Sequence, residues 1–239
     1  MNAKHRTLFF VVVIPITMVM APEFSFGACM SDGTPISSTI DPGASVSKSA
    51  TIGEGTDVAA NVRIGGDVIT GTCDVIGDGL NAARIGNNAH VGNGTVVVGE
   101  SSIGGDSMIG NGVMFGDTTG GASTGGSSMI GDNSVIAGGS SIGGGAILGT
   151  QVTVSGGVRI GGGSNVNTNV SIGENSDIGG DVSLGQDVIV ESGVHIGRST
   201  IVSSGVTIGA NSRIGGGSEI CTNVPADSQI SSGSSVGCN

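Results

Sequence analysis

An aliphatic residue recurs every six positions along most of this chain, and this period excludes the common folds. Sixteen successive positions follow it without exception: Ile130, Ile136, Ile142, Leu148, Val154, Ile160, Val166, Ile172, Ile178, Leu184, Val190, Ile196, Val202, Ile208, Ile214 and Ile220. An α-helix repeats about every 3.6 residues and a β-strand about every two. A period of six therefore predicts a short strand followed by a corner, repeated along the chain.

The other positions of the six-residue unit fit this interpretation. Gly follows the aliphatic residue at 10 of the 16 positions, and the fourth residue after it is always small or β-branched. If the aliphatic residue is the first position of the unit, this small or β-branched residue is the fifth. We expect the fifth residue and the next aliphatic residue to point inwards, and the residue between them to point outwards. Gly, Asn and Asp at the intervening positions suit a corner because they adopt a positive φ more readily than other residues.

The same register is present nearer the N-terminus, with two interruptions. The earlier series is Ile40, Val46, Ile52, Val58, Ile64, Thr70, Ile76, Ile85, Val91, Val97, Ile103, Ile109 and Phe115. The steps from Ile76 to Ile85 and from Phe115 to Ile130 are longer than six, so we predict loop insertions near residues 77–82 and 116–127. Beyond Ile220 the pattern weakens, which predicts a C-terminal cap at residues 226–239.

Over residues 40–225, the pattern aliphatic–Gly–x–x–[Ser/Thr/Ala/Val]–x closely resembles the bacterial hexapeptide-repeat family. The resemblance implies an all-β fold, a left-handed parallel β-helix shaped as a triangular prism with three units in each turn. It implies about ten 18-residue turns, which at about 4.8 Å each make a prism on the order of 45 Å long. It also implies trimers of prisms packed side by side.

The first 27 residues are typical of a secretory signal peptide. A basic start, MNAKHR, precedes the apolar stretch TLFFVVVIPITMVMA, which is short for a membrane span and is interrupted by Pro15. We expect cleavage after Gly27, an N-terminal cap at residues 28–39 and no membrane span in the mature chain. A lipoprotein signal acylated at Cys29 is the alternative. Either signal predicts export, to the periplasm, the cell surface or the extracellular medium.

The four cysteines would then lie in an oxidising compartment, where disulfides persist. Cys238 follows Cys221 by 17 residues, almost one turn, so adjacent turns would bring the two Cα atoms near disulfide range. We therefore predict a Cys221–Cys238 bond. The remaining pair is Cys29 and Cys73, whose separation is not a whole number of turns, and the sequence leaves that bond open.

Two residues could act as a catalytic base, and no set of residues fits a metal site. Hexapeptide-repeat proteins include acyltransferases with a catalytic histidine and zinc carbonic anhydrases with three histidines. Beyond residue 27 this chain has only His90 and His195, which the register places on different sides of the prism, so we expect no metal. A coenzyme A site needs basic groups, whereas Lys48 is the only lysine there, so we expect no cofactor. His90, with Asp117 as its orienting carboxylate, and His195 are the candidate bases.

The six-residue register also offers a non-catalytic interpretation of both histidines. The outward positions around His195 stack as Ser141, Arg159, Asp177, His195 and Arg213, which is a surface charge ladder at about 5 Å per step. Exposed charge pairs of this kind contribute little to stability individually. The register predicts that His90 is a solvated strand residue among the outward side chains Thr51, Ile69, Met108 and Val135.

Several outward positions are apolar, and these predict contact surfaces. They are Ile69, Val96, Met108, Met114, Met129, Ile147, Ile189 and Ile201. We therefore expect a homo-oligomer, and the family resemblance favours a trimer. The net charge of −11 disfavours nucleic acid and anionic lipid as partners.

Two hypotheses of function follow from the sequence. The first is an exported or cell-envelope, non-catalytic β-helical protein, structural, adhesive or surface-binding, whose ligand is a cell-surface molecule or a polysaccharide. The second is a hexapeptide-repeat acyltransferase-like enzyme that acts on an envelope polysaccharide. The near-complete coverage by the repeat favours the first, and the resemblance alone favours the second.

Overall fold

The computed structural model of the chain describes residues 38–117 and 120–238. These residues form 31 strands of two residues each, and every pairing between the strands is parallel. The described part of the chain contains no helix, and so none that is long and apolar enough to cross a membrane. The predicted signal peptide, residues 1–27, and most of the predicted N-terminal cap, residues 28–39, lie outside the described residues.

The strands form three parallel sheets, which the chain visits in turn. The first sheet has ten strands: Thr39–Ile40, Asp57–Val58, Val75–Ile76, Val96–Val97, Met114–Phe115, Val135–Ile136, Thr153–Val154, Ser171–Ile172, Ile189–Val190 and Thr207–Ile208. The second has eleven: Ser45–Val46, Arg63–Ile64, Arg84–Ile85, Ser102–Ile103, Ser123–Thr124, Ser141–Ile142, Arg159–Ile160, Asp177–Ile178, His195–Ile196, Arg213–Ile214 and Gln229–Ile230. The third has ten: Ile69–Thr70, His90–Val91, Met108–Ile109, Met129–Ile130, Ile147–Leu148, Asn165–Val166, Ser183–Leu184, Ile201–Val202, Glu219–Ile220 and Ser235–Val236. This solenoid of about eleven turns confirms the short strands and corners that the period of six predicts and the parallel β-helix that the family resemblance implies.

The two residues of each strand face opposite ways, as the register predicts. His195 is exposed and Ile196 is fully buried, and the same division holds along almost every strand. Each buried Ile, Leu or Val contributes roughly 1.5–3 kcal/mol relative to an exposed side chain. Buried serines are tolerated because they bond to the backbone of the next turn; Ser164 Oγ, for example, donates to Gly179 O at 2.9 Å.

The predicted loop insertion at residues 116–127 is too long, because that segment contains a strand. Ser123 lies in register between Ser102 and Ser141 in the second sheet. Thr124 takes the inward position that an aliphatic residue takes in most strands, so the period of six did not reveal the strand Ser123–Thr124. The insertion is therefore three residues long, like the earlier one near residues 77–82, and both lie at the corner between the first and second sheets.

The solenoid also continues into the segment that the sequence predicts as a cap, residues 226–239, as far as the strand Ser235–Val236. Arg213 pairs with Gln229 and Glu219 with Ser235, at offsets of 16 residues rather than 18. The chain is two residues short between Ile220 and Val224, and the period of six then resumes in a new phase. This change of phase explains both the weakened pattern and a turn count above the predicted ten.

Candidate functional site

The second sheet presents an outward surface that is polar on all eleven strands, and we call it the polar face. Its outward residues, in order along the prism, are Ser45, Arg63, Arg84, Ser102, Ser123, Ser141, Arg159, Asp177, His195, Arg213 and Gln229. The other two sheets carry exposed apolar side chains, namely Val135 and Ile189 on the first and Ile69, Met108, Ile147 and Ile201 on the third. The polar face is therefore the surface best suited to a ligand that is recognised by hydrogen bonds.

The cationic side chains are concentrated on this side of the prism. Of the six Lys and Arg residues in the described ranges, four lie on the polar face itself. The other two, Lys48 and Arg198, lie on the corner that follows it. Asp177 is the only acidic residue on the face. In a chain with net charge −11, an anionic group therefore meets favourable charge mainly here.

His195 contacts Asp177 on the adjacent strand of the polar face, and the two form an ion pair when the imidazole is protonated. The His195 Nδ1–Asp177 Oδ2 distance is 3.4 Å, and this is the only ion pair among the described residues. The predicted ladder is present as successive strands, with Arg159 paired to Asp177 and Arg213 to His195. Both side chains of the ion pair are about half exposed, so its contribution to stability is about 1 kcal/mol or less.

A depression of about 420 Å³ lies at the C-terminal end of the polar face, beside His195. It is lined by His195, Gly197, Arg213, Ile214, Gly215, Gly216, Gln229, Ile230, Ser231 and Ser232. The sequence reasoning missed the last four of these because it placed residues 226–239 in a cap. The recurrence of Val224, Ile230 and Val236 at intervals of six was the signal that could have placed them.

Glycines leave the floor of this depression without side chains. A Cβ on Gly197 would lie 2.3 Å from the backbone N of Gly216, and one on Gly215 would lie 2.3 Å from the backbone N of Ser232. Stacking of the turns therefore requires glycine at both positions. The bare corner beside the side chains of His195, Arg213 and Gln229 is the physical origin of the depression.

His90 lies on the third sheet, away from Asp117, its proposed catalytic partner, and from the other candidate base, His195. Its strand neighbours are Ile69 and Met108, and Met129 follows Met108. The prediction that Val135 lies in the same row as His90 is wrong. The strand at residues 123–124, which the sequence analysis missed, shifts the register and places Val135 on the first sheet. Asp117 lies at the corner between the first and second sheets, opposite the third sheet, where it accepts hydrogen bonds from backbone nitrogens. The structure does not bring His90 and Asp117 together.

The structure joins Cys221 to Cys238 in the disulfide that their spacing predicts, with a Cα–Cα distance of 5.1 Å. Glu219 lies beside this bond, and its carboxylate and the two sulfurs lie within 4.8 Å of one another. Because both sulfurs are in a disulfide, they offer no thiolate to a metal ion. Cys73 is also disulfide-bonded, and Cys29, with which the sequence left a bond open, lies outside the described residues.

Asp74 is a buried carboxyl group that the sequence reasoning did not single out. It occupies an inward fifth position and is fully buried. Its Oδ1 accepts a hydrogen bond from the backbone N of Thr95 at 2.9 Å, whereas its Oδ2 has no partner among the described residues. Burial raises the pKa of Asp74 to about 7, against the opposing effect of backbone hydrogen bonds from Thr95, Gly71 and Gly94.

No family model and no curated protein matches this chain. Solved structures do match. The UDP-N-acetylglucosamine acyltransferase of Francisella novicida is 21% identical over 83% of this chain and 63% of its own, with a TM-score of 0.29. That of Bacteroides fragilis is 24% identical over 76% of this chain and 68% of its own, with a TM-score of 0.32. The acetyltransferase domain of PglB from Neisseria gonorrhoeae is 21% identical over 54% of this chain and 57% of its own, with a TM-score of 0.36.

This chain thus spans less than two thirds of the length of the Francisella enzyme. At such identities and TM-scores these likenesses carry no argument about activity. The repeat over residues 40–225 and the three-sheet parallel solenoid built from it are consistent with the hexapeptide-repeat β-helix family.

Proposed function

We propose that this chain is an exported, non-catalytic scaffold of the cell envelope that binds a polysaccharide along its polar face. The observation that carries the proposal is the chemical division of the prism, with eleven polar strands on one sheet and exposed apolar side chains on the other two. A glycan offers hydroxyl groups in series. The Ser, Arg, His and Gln side chains of the polar face offer hydrogen-bond partners in series, at about 4.8 Å per strand.

The apolar rows on the other two sheets serve self-association in this proposal. Ile69, Met108, Met129 and Ile147 form a row on the third sheet that only His90 interrupts. Val75, Val96, Met114 and Val135 form a second row on the first sheet, and one corner of the prism separates the two rows. Burial of these rows between copies, in a trimer as the family resemblance favours, would leave the polar face in contact with solvent.

Export rests on the basic and apolar segment at residues 1–27. Fractionation of cells that express the full chain tests it, and an uncleaved chain in the cytoplasm would contradict it. The polar face is the part of the proposal that the structure allows to be tested by substitution.

Retention of the full chain on immobilised envelope polysaccharide tests the polar face. Ser123 and Ser141 are neighbours on that face, and Thr153 and Ser171 are neighbours of similar size on the first sheet. We expect the Ser123→Leu, Ser141→Leu double variant to lose retention, because it covers two polar strands with apolar bulk. The matched control, Thr153→Leu with Ser171→Leu, keeps retention. Equal retention by both double variants contradicts the assignment of the polar face.

A second candidate function is acyl transfer to a polysaccharide hydroxyl, and the His195–Asp177 pair beside the depression favours it. Asp177 would orient His195 through Nδ1, and Nε2 would accept the proton of a sugar hydroxyl as its oxygen attacks a thioester donor. The ester bond forms, the acyl–sulfur bond breaks, and the thiol leaves with the proton. The similar solved structures are acyltransferases, but that likeness is too remote to support this activity.

The His195→Gln variant separates the two functions. In a transferase this variant abolishes acyl transfer from a thioester to the polysaccharide while retention is maintained. If the unmodified chain transfers no acyl group but retains the polysaccharide, the transferase function is refuted and the scaffold stands.

A further inference from the structure

We propose that the depression at the C-terminal end of the polar face binds a carboxylate-bearing sugar, with Arg213 as the anchor of the carboxylate. This inference rests on the proposed function, because it names a ligand group and a subsite on the same polar face. It is independent of the transferase function, since it requires no reaction at His195.

The first support is the arrangement of three side chains in adjacent strands. Arg213 pairs in register with His195 on one side and with Gln229 on the other. His195 already uses Nδ1 in its contact with Asp177, which leaves Nε2 for a ligand. Arg213 forms no ion pair with any residue that the structure describes, so its guanidinium is available. The three residues form a row of polar groups along the depression.

The second support is the space beside this row. Gly197, Gly215 and Gly216 carry no side chains, and the stacking of the turns keeps the first two positions as glycine. The resulting depression of about 420 Å³ is within the size range of small-ligand sites, roughly 300–1,000 Å³. A single sugar ring therefore has room against the bare corner.

The local charge indicates a monoanionic group. A guanidinium pairs with a carboxylate through two parallel hydrogen bonds, which supplies both energy and orientation. A dianionic phosphate would meet stronger repulsion, because Asp177 lies next to His195 and the whole chain carries a net charge of −11. A carboxylate gains the same pairing with less repulsion.

The remaining polar groups fit a sugar rather than a simple carboxylic acid. Gln229, Ser231 and Ser232 each contain both a donor and an acceptor, as sugar hydroxyls do. Ser231 and Ser232 lie on the corner and Gln229 on the face, so the polar groups approach the depression from two directions. This arrangement suits a ring with hydroxyls on its edge and one carboxylate.

The experiment is a titration of the full chain with a short oligosaccharide that contains glucuronate, and with its neutral glucose analogue. We expect Arg213→Gln to weaken binding of the acidic oligosaccharide by about tenfold or more, as loss of a charged hydrogen-bonded pair does. Arg213→Lys keeps the charge but loses the paired hydrogen bonds, so its loss is intermediate. Lys48 lies on a corner at the other end of the solenoid, off the polar face and outside the depression, so Lys48→Gln serves as the matched control for loss of one positive charge, with affinity unchanged.

Two results would overturn the inference. One is equal binding of the acidic oligosaccharide by the unmodified chain and Arg213→Gln, and the other is equal binding of the acidic and neutral oligosaccharides by the unmodified chain. If either result occurs while the Ser123→Leu, Ser141→Leu double variant still fails to retain the polysaccharide, the proposed scaffold function survives. Only the proposal of a carboxylate-binding subsite is then rejected. If the polar-face double variant keeps retention instead, the proposed function fails separately.

Discussion

The two halves of the solenoid solve the same packing problem with different regularity. In the regular half, residues 130–220, sixteen six-residue units follow one another without an interruption. In the irregular half, residues 38–117 and 120–124, two steps along the second sheet, from Arg63 to Arg84 and from Ser102 to Ser123, are three residues longer than a regular turn. The irregular half also places Thr70 and Thr124 at inward positions that are otherwise aliphatic, and it buries Asp74.

This difference shows how local the constraints of a solenoid are. Each turn contacts only the turns on either side, so an insertion at one corner leaves the register beyond it unchanged. A buried carboxyl group in one turn likewise lowers the stability of that turn and its neighbours. We therefore expect the regular half to be the more stable half and the irregular half to be sensitive to pH.

The largest expected effect is at Asp74. Its pKa is raised to about 7 in the folded state from the ordinary 3.8. As pH rises between these values, the unfolded state loses its proton first, so the free energy of unfolding falls through this range and is level above it. The loss amounts to no more than about 4 kcal/mol. Threonine occupies the equivalent positions of the two adjacent turns, Thr56 and Thr95. The Asp74→Thr variant should therefore restore most of that stability at pH 8.

Denaturant unfolding at pH 3 and pH 8 measures this effect. The difference between Asp74→Thr and the unmodified chain should be large at pH 8 and small at pH 3. Ser134→Thr, in the same column of the regular half, is the control and should leave the pH dependence unchanged. An Asp74→Thr chain that keeps the full pH dependence would show that Asp74 does not distinguish the halves.

The next effect is at the C-terminal end of the solenoid, where the Cys221–Cys238 disulfide closes a separation of 17 residues. A loop of that size corresponds to about 3 kcal/mol of stabilisation. The Cys221→Ser, Cys238→Ser double variant should therefore expose the strands Gln229–Ile230 and Ser235–Val236 to faster amide hydrogen exchange. Exchange in the regular half, as at Ile172, should be unchanged because the turns there contact only one another. Acceleration spread evenly along the solenoid would contradict this local view.

A smaller effect separates two positions of the glycine corners, and not the two halves themselves, because Gly86 in the irregular half would place a Cβ 2.5 Å from the backbone N of Gly105. A Cβ on Gly161, in the regular half, would lie 2.3 Å from the backbone N of Gly180, which cannot move without separating two turns. A Cβ on Gly66, in the irregular half, would instead lie 3.1 Å from the side-chain hydroxyl of Ser49, which can rotate away. We expect Gly161→Ala to lower the free energy of unfolding by about 1–3 kcal/mol and Gly66→Ala by less than about 1 kcal/mol. Thermal unfolding of both variants measures this, and equal effects would remove the distinction.

The period of six was enough to predict the short strands, the inward ladders and the neighbours of His195, because these depend only on the spacing of the residues, whereas the parallel sheets were implied by the family resemblance. The period failed at two places, where an insertion is followed by Thr124 at an inward position and where the chain is two residues short before Val224. Thr124 hid a strand because a hydroxyl group replaced an aliphatic side chain, and that error moved Val135 to the wrong sheet. The two residues missing before Val224 hid the last turn, and with it Gln229 and the depression.

The concentration of cations on the polar face was also not predicted. It depends on the sheet to which each Arg belongs, and Arg63 and Arg84 join Arg159 and Arg213 only when every insertion is counted correctly. The burial of Asp74 could have been predicted from its fifth position. Its unpartnered oxygen could not, because hydrogen bonding inside the prism depends on the backbone of the adjacent turns.

Hydroxyl-radical footprinting of the full chain, with and without an acidic envelope polysaccharide, tests most directly whether the polar face is the ligand face. His195 reports on the polar face, and Met108 and Met129 report on the apolar row of the third sheet. We predict that the polysaccharide protects His195 and leaves the oxidation of both methionines unchanged. Protection of Met108 and Met129 with His195 unchanged would contradict the account.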